Sequence, residues 1–447
     1  MLQTNTSLTF KVRRQAPELI TPAVPTPREL KLLSDIDDQN EHRYQVPTIQ
    51  FFPRNPEMED KNPAAVIREA LAKVLVFYYP FAGRLREGSG RKLMVDCTAE
   101  GALFTEAEAD VTLEEFGDRL HPPFPCIEEL LYDIPGSNGI LDAPLLLIQV
   151  TRLSCGGFIF ASRMNHTMCD GQGAMQFLIA LGEIARCASQ PSILPVWERE
   201  LLFARDPPHV NFTDHPEYKE KPNSKHPQLK MDDQMTQKTF LFRPSEISAL
   251  RRFVPDDIKT CTTNEILTAS IWRCRTIALE PNPEQEMRFM FPVNARAKLN
   301  PPLPIGYYGN CVVHPLVRST ARDLSTKPLA HALRLVMSAK SIVTEEFVRS
   351  TVDLLAIRRW TSLNFESTYA ISNLTRVGFN EINFGWGKAT YAGPAFGGFA
   401  FNPEIFSYLV SSTNSKGESG IMISLSLPKA AMEKFMKELN KMLIYVQ

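Results

Sequence analysis

Apolar positions along the chain alternate between helical and strand spacing. After Asn62-Pro63, an N-cap residue followed by proline at the first helical position, Ile67, Leu71, Val74 and Leu75 recur with helical spacing, and Tyr79-Pro80 ends the run. Leu145 to Thr151 and Phe158 to Arg163 are apolar runs joined by Ser154-Cys155-Gly156-Gly157, the pattern of a hairpin. Next comes Asn165-His166, and then Phe177, Leu178, Leu181, Ile184 and Ala185 at helical spacing. His166 is therefore expected in a strand-to-helix turn, with Asp170 at the helix N-cap. Downstream, the spacing predicts helices over 264–276, 328–346 and 429–443, with a strand near 420–427. Helices interleaved with strands in both halves predict a layered α/β architecture.

Between 205 and 237 no period survives. Asp206-Pro207-Pro208-His209, Pro216, Pro222, His226 and Pro227 read as a crossover. The expected division is residues 1–200, a crossover loop over 201–237, and residues 238–447. Part of 370–400 is expected to pack with the first half. A chain of 447 residues exceeds the usual size of one core, which agrees with two domains.

Charge narrows the function. With 49 basic and 50 acidic residues there is no basic excess to bind nucleic acid. No apolar run approaches the length of a bilayer span, and residues 1–14 hold no apolar signal core. A cytoplasmic protein away from the membrane is expected. The eight cysteines are scattered without a Cys-x-x-Cys pair, so neither disulfides nor a metal site is expected. Cys169 near His166 fits a Cys-His nucleophile pair, a metal site or a thiol turned into packing. Free cysteine is usually buried, which favours packing.

The candidate chemistry lies in Arg163-Met164-Asn165-His166-Thr167-Met168-Cys169-Asp170-Gly171. An imidazole with an ordinary pKa of about 6.5 suits proton abstraction near neutral pH. The His-x-x-x-Asp spacing alone decides little, because with eight histidines about half a chance match is expected. Asn383-Phe384-Gly385-Trp386-Gly387, a rigid aromatic turn, stands far downstream.

Together these two runs resemble the signatures of the plant BAHD acyl-CoA-dependent acyltransferases. Further matches follow in order: Leu33-Ser34-Asp35-Ile36-Asp37, Tyr79-Pro80-Phe81-Ala82-Gly83-Arg84, and Leu267-Thr268-Ala269-Ser270-Ile271-Trp272-Arg273-Cys274. Val293-Asn294-Ala295-Arg296, Gly306-Tyr307-Tyr308-Gly309-Asn310 and Ser372-Asn373-Leu374-Thr375-Arg376 complete them. Pro17 to Pro22, Ile193 to Glu200 and Ala204 to Pro208 resemble the alcohol acyltransferases and benzyl alcohol O-benzoyltransferases within that family.

The resemblance implies two chloramphenicol acetyltransferase-like domains with a central channel, and a monomer without a permanent cofactor. It implies acyl-CoA as co-substrate, either benzoyl-CoA or acetyl-CoA, and a small primary alcohol as acceptor. His166 would be the general base, with no acyl-enzyme. Asp170 would pair with Arg296 as a structural element, and Gly171 would keep the turn open. Ser372, Asn373, Thr375 and Arg376 would contact the pantetheine and phosphates of CoA. Arg251, Arg252 and Lys259 fit either CoA phosphates or a solvated basic face. Asn383 departs from the family's aspartate; because the family's motif shapes the fold and the CoA entrance, Asn383, Phe384, Gly385, Trp386 and Gly387 are expected to do so rather than perform chemistry. Two alternatives stand beside this reading: an acetyltransferase for aliphatic alcohols, and a non-catalytic ligand-binding relative.

Overall fold

The structure, a computed structural model, describes residues 8–134, 139–210, 215–218, 235–358, 362–398, 403–413 and 417–444. Two mixed sheets carry the described chain. The first runs in the order Val12–Arg14, Ala102–Ala109, Leu146–Leu153, Phe158–Asn165, Gln45–Phe52 and Tyr391–Pro394. Glu18–Ile20 also pairs with Ala102–Ala109. The second runs Met235–Phe242, Ser419–Pro428, Phe406–Thr413, Thr368–Asn373, Glu286–Met290 and Leu316–Thr320. Its edge strand begins before residue 238, where the second unit was expected to start.

Helices cover each sheet because their apolar stripes must be buried. On the first, Pro63–Phe77 packs beside Gly171–Ala185. The Asn62 side chain accepts the Ala64 N–H at 2.9 Å, and Pro63 occupies the first turn, where its missing N–H costs nothing. Ile67, Leu71, Val74 and Leu75 enter the core together with Phe177, Leu178 and Leu181. On the second sheet Thr263–Leu279 packs between Lys429–Leu443 and Leu329–Ser341.

One expected helix changes. The single helix expected over 328–346 is two, Leu329–Ser341 and Glu345–Ile357. Thr344 caps the second by accepting the Phe347 N–H at 3.2 Å, while Val343 turns into a buried cluster. The crossover is packed where it is described. His215, Glu217 and Tyr218 are buried, and His215 lies 2.8 Å from Glu217 and 3.0 Å from Ser350. Arg205 pairs with Asp353 at 2.7 Å. These bonds repay the desolvation that a polar strap incurs when it lies against a helix. Residues 211–214 and 219–234 of the crossover lie outside the described residues.

The halves also exchange structure. Tyr391–Pro394, from the second half of the sequence, pairs antiparallel with Gln45–Phe52 in the first sheet. Phe384 and Trp386 enter the first core, where Phe384 meets Phe52 edge to face and tilts against Phe160, and Trp386 meets Phe158 edge to face.

Candidate active site

His166 follows the strand Phe158–Asn165, and its N–H donates to the Tyr44 carbonyl at 3.0 Å. Gly171–Ala185 starts five residues later with Asp170 as N-cap, accepting the Gly173 N–H at 3.0 Å. The expected strand-to-helix turn is therefore present, and it leaves His166 partly exposed.

Asp170 does not face the imidazole as a triad member would. Arg296 grips it with two bonds of 2.7 and 2.9 Å, and the Cys311 N–H donates to it at 3.0 Å. With Gly173, all of its partners are donors. Burial pushes this carboxyl up, but the Arg296 guanidinium and the two backbone N–H groups outweigh that and hold it below the ordinary range.

A second buried pair lies on the other side of the same segment. Arg199 and Asp37 are both fully buried and 3.0 Å apart, and Arg199 also donates to the Met168 carbonyl at 2.7 Å. Asp37 accepts both the backbone N–H of Asn310 at 2.9 Å and its side-chain Nδ2 at 2.8 Å. A Cβ on Gly309 would fall 1.6 Å from the Arg199 guanidinium, so only glycine fits there.

These contacts fix the His166 ring. Asn310 Nδ2 donates to Asp37 and, at 2.8 Å, to the His166 carbonyl; both partners only accept. The amide oxygen must then be the atom that lies 3.1 Å from His166 Nδ1. Nδ1 therefore carries the proton and donates to Asn310, and Nε2 keeps its lone pair. Burial pushes the His166 imidazole below its ordinary 6.5, a shift that Asp170 and Asn310 oppose without cancelling.

Glycine at 171 has a lesser role than expected. A Cβ there would meet only Leu374, at an ordinary 3.7 Å. The obligatory glycine is Gly173, where a Cβ would fall 1.9 Å from the Tyr308 carbonyl oxygen. Cys169 is buried, and burial pushes its thiol upward, away from the thiolate that a nucleophile needs.

The contact at Gly171 also brings Leu374 to the start of the helix that follows His166. Ser372 and Asn373 end the strand Thr368–Asn373, and Asn373 Oδ1 accepts the Thr375 N–H at 3.0 Å and its hydroxyl at 2.7 Å. Thr375 and Arg376 line an open pocket of about 110 Å³ together with Phe379, Glu381 and Ser411. Arg251 sits elsewhere in the second half, bonded to the Cys261 carbonyl at 3.3 Å, beside Arg252. Lys259 pairs with Asp256.

Asn383 closes its aromatic turn by accepting the N–H groups of Gly385 at 2.8 Å and Gly387 at 3.0 Å. Both glycines have positive φ, 113° and 89°. The turn lies against the 171–185 helix, where a Cβ on Gly182 would meet the Asn383 carbonyl oxygen at 2.7 Å. Asp37, Arg199, His42 and His314 had no mark in the sequence as site residues. Asp37 and Asn310 fell inside matched landmarks, which is the one signal that could have found them.

Residues 10–442 match the Transferase family. The chain is 57% identical over 98% of its length to the benzyl alcohol O-benzoyltransferase of Nicotiana tabacum, covering 95% of that protein. It is 54% identical to the 13-hydroxylupanine O-tigloyltransferase of Lupinus albus over 97% of its length and 95% of the relative. Among solved structures, vinorine synthase superposes with a TM-score of 0.71 at 20% identity, covering 97% of this chain and 98% of that one. The TRI101 protein of F. graminearum, complexed with coenzyme A and deoxynivalenol, gives 0.70 at 16% identity, covering 92% and 98%. These likenesses give the expected two-domain fold, and the chain belongs to the BAHD acyltransferases of the Transferase family.

Proposed function

We propose that this enzyme transfers an acyl group, benzoyl foremost, from coenzyme A to a small primary alcohol such as benzyl alcohol. The observation that carries the mechanism is the tautomer of His166: Asn310 takes the Nδ1 proton, so Nε2 is free to accept another. An alcohol bound at Nε2 loses its proton to the ring as its oxygen attacks the thioester carbonyl. The tetrahedral oxyanion then collapses to the ester and a CoA thiolate, which takes the proton back from the imidazolium. General-base assistance of this kind contributes about 10² to 10⁴ in rate. Because the alcohol attacks directly, no enzyme nucleophile takes part, which accords with the buried, protonated Cys169.

Substrates would reach His166 through a channel between the halves. For the CoA side we assign Ser372, Asn373, Thr375 and Arg376, whose loop abuts the start of the helix that follows the base. The named activities of the tobacco and Petunia hybrida relatives support benzoyl transfer to benzyl alcohol, and the alcohol acyl transferases of Malus domestica support an aliphatic acceptor as second choice. We take the protein to be a cytoplasmic monomer. Among the described residues no helix is long and apolar enough to cross a membrane, and all eight cysteines are free.

The test is release of free thiol from benzoyl-CoA with benzyl alcohol, with the ester identified as product. His166→Ala should lower turnover by about 10² to 10⁴ while acyl-CoA still binds. Retained turnover would remove the base role. Binding of CoA with no turnover over a panel of acyl donors and alcohols would favour a ligand-binding protein instead.

A further inference from the structure

His166 is not the only imidazole at this centre. His42 ends the short turn Asn40–His42, and its ring stacks on His166 with centroids 4.3 Å apart and planes within 5°. Its side chain is buried and its Nδ1 is enclosed without a hydrogen-bond partner among the described residues, although the ring also bonds backbone groups of Ile36 and Asp37. His314 follows the strand Val312–Val313, four residues after Asn310, and its Nδ1 is likewise buried without a partner. Tyr44 closes another side, its ring centroid 5.7 Å from that of His166.

Burial, with repulsion from His166, holds His314 at about 4 and His42 well below its ordinary value. Both are therefore neutral near pH 7, and each ring offers one donor and one acceptor rather than a charge. Proton transfer at His166 uses neither of them, since Asn310 already fixes the tautomer. A metal does not account for them: parallel rings aim their lone pairs side by side, and no metal-ligand cluster occurs among the described residues. Backbone bonds to Ile36 and Asp37 hold the His42 ring, but they leave its Nδ1 and that of His314 unpaired, which an apolar ring in the same place would not.

We propose that His42 and His314 select the acceptor: the preferred alcohol carries, a few bonds from its reacting hydroxyl, a second hydrogen-bonding oxygen that these two imidazoles bind. This rests on the reading of His166 as the base. With the reacting oxygen at Nε2, a ring stacked at 4.3 Å borders the acceptor itself. The two histidines come from opposite halves of the sequence. A site built to pair with a substrate hydroxyl discriminates strongly against the analogue that lacks it, whereas apolar pockets discriminate weakly.

The experiment compares kcat/KM for matched alcohols with benzoyl-CoA: benzyl alcohol against 2-hydroxybenzyl alcohol, and 1-butanol against butane-1,3-diol, with the acylated oxygen identified. The dihydroxy member of at least one pair should be preferred by about tenfold or more. His42→Phe and His314→Phe keep the rings and remove the nitrogens, and in either the preference should fall toward one. Retention of CoA and an unchanged near-ultraviolet circular dichroism spectrum show that a variant is folded, and the wild-type ratios decide if neither variant is. Ratios of one or less in every pair would overturn the proposal. So would an unaltered preference in the folded variants, or an equal rate loss on all alcohols, which would assign the imidazoles to the thioester carbonyl. Failure to acylate any alcohol would instead overturn the acyltransferase reading beneath it.

Discussion

Replacing Asp170 with asparagine should destabilise the enzyme as well as slow it. The carboxylate accepts from Arg296 twice, from Gly173 N–H and from Cys311 N–H. An asparagine offers one accepting oxygen and one donating nitrogen. Placed toward Gly173, the NH₂ faces that N–H and one arm of Arg296; turned over, it faces the Cys311 N–H and the other arm. Either way two donors oppose it, and the Arg296 guanidinium stays buried without its counter-charge. Breaking a buried ion pair on one side costs about 3–5 kcal/mol. Unfolding entropies near 2.1 cal/mol/K per residue give roughly 0.9 kcal/mol/K for 447 residues. If the chain unfolds as one unit, the melting temperature should then fall by about 3–5 °C. Turnover should fall with it, since Cys311 adjoins the Asn310 that holds His166. Thermal unfolding followed by circular dichroism, beside initial rates on the same preparations, measures both effects. An Asp170→Asn protein that melts within about 1 °C of wild type yet has lost turnover would refute the structural role and return Asp170 to the chemistry.

Other outcomes follow from the same contacts. Because burial lowers the His166 pKa, the neutral base persists to more acidic pH than a free imidazole would. The acid limb of kcat/KM should lie below 6.5, with activity rising through it as pH increases; a limb above 6.5 would contradict the shift. Cys169→Ala should keep kcat within about threefold and cost about 1 kcal/mol for the lost sulfur, whereas an inactive but folded variant would reinstate a thiol intermediate. Asn383→Asp should keep the aromatic turn, since a carboxylate accepts from Gly385 and Gly387 as well as the amide does. Asn383→Ala should lose about 1–3 kcal/mol in thermal or denaturant unfolding, and equal damage from both would show that the caps are not what matters.

How far the sequence could be read depended on whether a feature is local. The helix Pro63–Phe77 was legible because its cap, its proline and its apolar period lie within one stretch. The turn around His166 was legible for the same reason, from a strand run before it and a helical run after it. The break between Leu329–Ser341 and Glu345–Ile357 was missed because helical spacing continues across it, although Thr344-Glu345-Glu346 is a start signal. Gly171 drew attention by adjoining Asp170, but the crowded position is Gly173, which faces a Tyr308 carbonyl from the other half of the chain. Periodicity cannot report such an approach. The stacking of His42 on His166, and the placing of Tyr391–Pro394 in the first sheet, depend on how distant segments dock, and a short run such as Tyr391-Ala392-Gly393-Pro394 does not name its partner strand.

The aspartates of the two matched landmarks share a task that neither motif shows alone. Asp37 accepts the Asn310 N–H and Asp170 accepts the Cys311 N–H, so two carboxylates from the first half hold adjacent residues of the second. Each aspartate is neutralised by a buried arginine, Arg199 from the first half and Arg296 from the second. Buried pairs of this kind add little net stability over apolar packing, because desolvation offsets their attraction. What they supply is position: the donors and acceptors can all be satisfied in one register of the halves. In that register the Asn310 oxygen meets His166 Nδ1, which leaves the lone pair on Nε2. A shift of one residue would remove the Asn310 N–H from Asp37 and leave a buried carboxylate short of a donor. The tautomer of His166 is thus coupled to the docking of the halves, so if His166 is the base, substitutions that loosen the interface should appear first as lost turnover, before acyl-CoA binding weakens.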